Sequence, residues 1–176
     1  MLAGKYTLLR RLGAGGMAEV FLARQAGLEG FEKLVVIKRV LPRHAGDDEF
    51  SRMFLDEART AADLRHPNVV SIYEVGAQDG AYFMAMEFLH GHNVAHIIKR
   101  CLEMATPLPL EVAGRIIMDA AAGLHHAHIK KDLRGQELHI VHREQQHRKT
   151  ASDEKSLGPS HQKLSLVACL LPQDLR

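Results

Sequence analysis

Three glycines in four positions, Gly13-Ala14-Gly15-Gly16, fall between two segments of β-type composition, residues 6–12 and 19–26. That placement is restrictive. A glycine-rich turn that opens a helix belongs to dinucleotide-binding folds, whereas one that joins two strands is the bend of a strand pair. Glycines there let the backbone approach a ligand closely and aim amide hydrogens at anionic oxygens without Cβ interference. Taken alone, a glycine-rich hairpin bend with no ligand accounts for the feature equally well, so the flanking segments have to decide.

The stretch at 32–40, EKLVVIKRV, is rich in Val and Ile, as a buried strand requires. In the next segment Phe50, Phe54, Ala58, Ala61 and Leu64 recur at helical spacing, Asp47 or Asp48 can cap the start, and Pro67 cannot continue it. Residues 69–77 and 81–89 read as two more strands around a Gln78-Asp79-Gly80 turn. The order is therefore β-β-β-α-β-β. After Gly91 the pattern turns helical: Asn93 caps a helix running to about Met104, TPLPL breaks it, and a second helix from Glu111 carries Ala113, Ile117, Ala120, Leu124 and Ala127 on one stripe. A short strand-like HIVHR follows, and residues 145–176 are polar and without period, as expected of a disordered tail.

Lys38 sits among apolar residues in Val-Val-Ile-Lys, where a cation needs a partner. Glu57, on the following helix, is a suitable one. A Lys–Glu pair of this kind holds an ammonium where it can reach nucleotide phosphates. For either residue alone, a strand-edge lysine or a solvated helical glutamate is the simpler account; the set of loop, lysine and glutamate is what carries weight.

Together these residues resemble the protein kinase family, and GAGGMAEV followed by FLAR is most similar to its bacterial, eukaryotic-like Ser/Thr members. The resemblance covers roughly residues 4–143 and includes HPNVV at 66–70. It implies an α+β fold: an ATP-binding N-lobe at 4–90, with a five-stranded antiparallel sheet and one helix, then the first helices of an incomplete C-lobe at 91–144, then the atypical tail. It implies ATP as the ligand. Gly13, Ala14, Gly15, Gly16, Met17 and Ala18 would cradle the phosphates, with Leu12 beside them in the cofactor site and Ala18 standing where the family has a third glycine. Lys38 would clamp the α- and β-phosphates and Glu57 would position it. Val20 and Val36 would cover the adenine, Met86 would stand as gatekeeper, and the backbone of Glu87 and Leu89 would bond the base edge.

The same resemblance exposes a departure. Val141-His142-Arg143 matches the catalytic loop, but Glu144 stands where the family has its catalytic Asp, and five residues on stands Lys149 instead of a magnesium-binding Asn. The extra methylene displaces the carboxylate, and even a 1 Å misplacement costs about a hundredfold in rate. No Asp-Phe-Gly or Ala-Pro-Glu follows, so the family's magnesium ligands are missing although magnesium is expected for the family. A match that ends within one residue is expected of a truncated or frameshifted kinase gene. The expected function is thus a Ser/Thr protein kinase by family, transferring phosphate from ATP to protein hydroxyls, with this chain catalytically impaired. The alternatives are a non-catalytic ATP-binding or interaction module, or an unstable gene fragment.

Other readings are weaker. Of the twelve histidines, His125, His126, His128, His139 and His142 cluster, but no Cys, Asp or Glu completes a familiar ligand set, so no metal site is expected. Cys101 and Cys169 fit no zinc or disulfide spacing. The net charge of +2 gives no reason to expect a nucleic-acid partner, and no apolar run is long enough for a membrane segment or signal peptide, so a cytoplasmic protein is expected. Helices 93–128 would leave apolar stripes uncovered, which predicts self-association. The protein substrate is not legible.

Overall fold

The computed structural model describes residues 1–44, 46–131, 135–138, 140–142 and 163–164. Two compact units are formed, one from Met1–Asp63 and Ser71–Phe88, the other from Leu64–Val70 and the described residues from Leu89 onward.

The first unit is a five-stranded antiparallel sheet with one long helix. Its strands are β1 (Tyr6–Ala14), β2 (Ala18–Ala26), β3 (Glu32–Val40), β4 (Ile72–Gln78) and β5 (Ala81–Glu87), in the order β1-β2-β3-β5-β4. The β4–β5 hairpin closes through Asp79 and Gly80, both at positive φ (53° and 75°), the backbone that a tight two-residue hairpin demands. Helix α1 (Asp48–Ala62) starts at Asp47, whose carboxylate accepts from the Glu49 and Phe50 amides at 3.0 and 3.3 Å. Two short turns of 3-10 helix, Leu28–Gly30 and Pro42–His44, were not foreseen from the sequence.

Alternation along the strands separates two cores. On one face Ala23, Val35, Ile37, Phe83 and Ala85 pack with Leu2 and Tyr6; on the other, Val40 and Met84 pack with Phe54 and Ala58 of α1. The first core is closed by the N-terminal segment. Tyr6 is wholly buried, its hydroxyl donates to Glu74 at 2.6 Å, and Lys5 forms an ion pair with the same carboxylate. Burial, with the Glu74 carboxylate beside it, pushes the Tyr6 phenol well above its usual range. For Glu74, burial works to raise the carboxyl, but the bonds from Lys5 and Tyr6 outweigh it and hold it below the usual value.

Strand β4 begins later than residue 69. The Val69 amide donates to the His66 carbonyl at 3.0 Å and the Asn68 amide to His66 Nδ1 at 3.1 Å, so 66–69 is a turn and Val69 is buried in the second unit.

The second unit holds α2 (Val94–Glu103) and α3 (Leu110–His128). Asn93 caps α2 by accepting from the His96 amide at 2.8 Å. Of the predicted α3 stripe, Ala127 is buried and Ala113 and Ala120 are half-buried, whereas Ile117 (67%) and Leu124 (37%) are exposed and Ile116 and Gly123 are buried instead. The reason is the approach of the 64–70 segment. The Asn68 side chain donates to the Asp119 carbonyl at 2.9 Å, and a Cβ on Gly123 would lie 3.0 Å from the Asn68 carbonyl oxygen, so that face of α3 is the one taken up. His126 stacks on His66 with ring centroids 5.2 Å apart, and its Nε2 is buried with no partner among the described residues. Burial, then the neighbouring His66 and Lys130 charges, lower its basicity. The expected strand-like HIVHR contains β6 (Val141–His142), which pairs in parallel with β7 (Lys163–Leu164). The rest of the tail, with Arg143, Glu144 and Lys149, lies outside the described residues.

Candidate nucleotide site

Strand register brings the predicted residues onto one face of the sheet. Val20 lies opposite Lys38, which lies opposite Met84; Leu22 lies opposite Val36, which lies opposite Met86. Directly opposed residues in an antiparallel sheet point to the same side, as do residues two apart. Val20, Val36, Lys38 and Met86 therefore share the face on which α1 packs. All four are half-buried, while Val35 and Ile37 beside them are wholly buried on the other face.

Lys38 Nζ is 2.6 Å from Glu57 Oε1, with the two side chains 19% and 16% exposed. Glu57 arrives there because Phe54 and Ala58, three before and one after it, are the α1 residues buried against Val40 and Met84. A short, charge-assisted bond in a partly buried place fixes the ammonium more firmly than a surface pair would.

The glycine-rich loop joins β1 to β2, with Gly13 opposite Val20 and Ala14 opposite Glu19. Its tip is closed by the Gly15 amide donating to the Ala18 carbonyl at 2.8 Å. Neither packing nor backbone conformation explains why glycine occupies positions 13, 15 and 16. A Cβ on Gly13 or Gly16 would meet nothing within 4 Å, one on Gly15 only the Ala18 oxygen at 3.8 Å, and none has the left-handed φ that favours glycine. Open space above glycine backbone is the provision needed for close approach by phosphate oxygens. Leu12 is 42% exposed beside it, and Met17 and Ala18 are half-buried.

At the other end of the face, β5 stops at Glu87, whose amide donates to the Ser71 carbonyl at 2.9 Å, and Leu89 follows in the connecting segment at the start of the second unit. Glu144 cannot be placed with these residues, since it lies outside those described.

Two features of the site escaped the sequence reading. Glu19, 9% exposed, accepts from Arg39 Nε and Nη2 at 3.2 and 2.6 Å, tying the first turn of β2 to β3. The signal existed, an acid and a base that fall opposite each other once the β2–β3 register is known. The second feature is a grip on the loop tip by Arg43 and His44, which no strand or helix period announces.

The model of the protein kinase domain matches residues 6–145. The chain belongs to the protein kinase family. Among curated relatives, the tyrosine-protein kinase MasK of Myxococcus xanthus is 46% identical over 141 residues, covering 80% of this chain and 22% of that protein. The Ser/Thr-protein kinase PrkC of Bacillus subtilis is 34% identical over 145 residues, covering 80% and 21%. The chain thus spans about a fifth of the length of these curated relatives. Of solved structures, the Mycobacterium tuberculosis PknI kinase domain is similar with a TM-score of 0.56 at 31% identity, over 81% of this chain and 54% of that one. The sheet, α1 and the helices after it are accordingly a kinase N-lobe and the start of a C-lobe.

Within that family ATP supplies the phosphoryl group, and the residues present fit its phosphates: a glycine loop open to close approach and a fixed ammonium at Lys38. Among the described residues no group of three or more His, Cys, Asp or Glu is placed to hold a metal ion. No helix among the described residues is long and apolar enough to cross a membrane.

Proposed function

We propose that this chain binds ATP on the half-buried face of its sheet and is the nucleotide-binding part of a bacterial Ser/Thr protein kinase, a cytoplasmic enzyme that phosphorylates protein hydroxyls. The Lys38–Glu57 pair, 2.6 Å apart and mostly shielded from water, carries this reading. Lys38 would hold the α- and β-phosphates, Glu57 would keep the ammonium in place, and residues 13–18 would line the phosphates with backbone amides. Val20, Val36 and Met86 would enclose the base, with the backbone of Glu87 and Leu89 bonding its edge. With Glu144 at the base position and Lys149 where the family has a metal-binding amide, transfer by these 176 residues is expected to be slow. A non-catalytic ATP-binding module is the second reading, and the same substitutions support it.

The test is thermal unfolding with and without ATP, each with and without magnesium, alongside a γ-phosphate transfer assay. At a ligand concentration about a hundred times Kd, binding stabilises by about 2.7 kcal/mol. Lys38→Met should abolish most of that gain. An ATP response that survives Lys38→Met unchanged, or no response in the unaltered chain, would sink the assignment. Transfer onto a protein separates the kinase from the binding module; transfer onto tyrosine alone would align this chain with the 46%-identical relative named a tyrosine-protein kinase.

A further inference from the structure

The segment joining β3 to α1 grips the tip of the glycine-rich loop. Arg43 Nη2 donates to the Gly16 carbonyl at 2.7 Å, and His44 Nε2 lies 3.1 Å from the same oxygen. The Leu41 amide donates to the Met17 carbonyl at 3.0 Å. The His44 ring is backed by Phe50, on the first turn of α1, with centroids 4.1 Å apart. The loop tip is therefore fastened to the start of the helix that carries Glu57.

In a trans peptide the carbonyl and the amide hydrogen point to opposite sides of the chain. Holding the Gly16 oxygen toward the linker turns the Met17 amide away from it. The Leu41 bond does the same for the peptide between Met17 and Ala18. Residue type adds direction to this. An arginine donating to a neutral carbonyl makes a charge-assisted bond, stronger than an amide would make.

His44 cannot play both parts open to it. Its Nε2 is also 3.2 Å from Arg43 Nε, and one ring nitrogen either accepts from Arg43 or donates to Gly16. With the proton on Nε2 the Gly16 carbonyl has two donors; with it on Nδ1, Arg43 Nη2 holds the carbonyl alone. Arg43 engages Gly16 in both cases and is the principal member.

We propose that Arg43 and His44 are positioning residues of the nucleotide site, fixing the Gly16–Met17 peptide so that the Met17 amide is presented to phosphate oxygens. The role toward phosphate rests on the ATP reading above; the latch itself does not.

Hydrogen exchange on the full chain, without nucleotide, tests the latch. Arg43→Ala should speed exchange of residues 13–18 about tenfold, His44→Ala less, and Arg43→Lys should restore much of the protection because it keeps a charged donor. Unchanged exchange in Arg43→Ala overturns the latch. Affinities for ATP and for adenosine test the role. Arg43→Ala should weaken ATP about tenfold and leave adenosine unchanged, since adenosine has no phosphate for the loop to hold. Equal weakening of both ligands means a general disturbance of the site and overturns the positioning role. If the unaltered chain binds neither ATP nor adenosine, the ATP reading and the role toward phosphate fail together, while the exchange data still decide whether the latch exists.

Discussion

The sheet unit and the helical unit draw on similar residues and treat them differently. In the sheet unit Tyr6, Phe83, Ile37, Met84 and Val35 are at most 2% exposed, and Met1, Leu28 and Phe31, each more than 60% exposed, lie outside its strands. In the helical unit Leu102, Leu110, Ile117 and Met118 are each more than 60% exposed. A five-stranded sheet with α1 on one face and the N-terminal segment on the other can cover both of its faces from within. The first unit therefore has the means to be a cooperative folding unit. Along α2 and α3, Leu102, Leu110, Ile117 and Met118 form apolar surface that the described residues of their unit leave open.

Substitutions can sharpen or break that contrast. The largest effect is expected from Phe83→Ala, which empties the sheet core and should cost about 3–5 kcal/mol in denaturant unfolding. A small effect there would mean the core is loosely packed. In α3, Ile116→Ala should cost about 2–5 kcal/mol, whereas Ile117→Ala, one residue away, should stay within about 0.5 kcal/mol. Equal costs would show that Ile117 is covered in solution. Ile117→Gln should then reduce self-association, measured by sedimentation, with little change in stability. Tyr6→Phe, which removes the hydroxyl bonded to Glu74, should cost about 1–2 kcal/mol.

The acid limbs of the two units should differ as well. His126 is less basic when folded, so its contribution is present above its unfolded pKa of 6.5 and is lost as pH falls below that. Glu74, also depressed, contributes above 4.5 and loses that contribution only as pH falls further. The raised phenol of Tyr6 works in reverse, stabilising fully below pH 10 and progressively less above it. Hydrogen exchange followed against pH should show α3 loosening before the sheet. Simultaneous loss of both would contradict the lowered basicity of His126.

Much of this organisation was legible in advance. The strand Glu32–Val40 and the caps at Asp47 and Asn93 coincide with expectation, because composition and capping chemistry are local properties. The start of β4 and the exposure of Ile117 and Leu124 in α3 did not, and both departures have one source. The turn at 66–69 is held by His66 and packs against Gly123, a contact between residues more than fifty positions apart that no window of sequence can register. The nucleotide-site residues were legible as types and spacings, whereas Glu19–Arg39 and the Arg43 grip required knowledge of which strand and linker lie side by side.

The glycine-rich bend, a lysine among apolar residues, the helical glutamate and Glu144 where the family has Asp were determined by the sequence alone, since each is a matter of residue type at a given spacing. Only the tertiary structure decided that Lys38 and Glu57 meet at 2.6 Å, that Val20, Val36 and Met86 share their face, and that Arg43 holds Gly16. Those are long-range contacts, set by strand register and by how α1 seats on the sheet, and the free energy that selects them belongs to the packed core rather than to any segment of the chain.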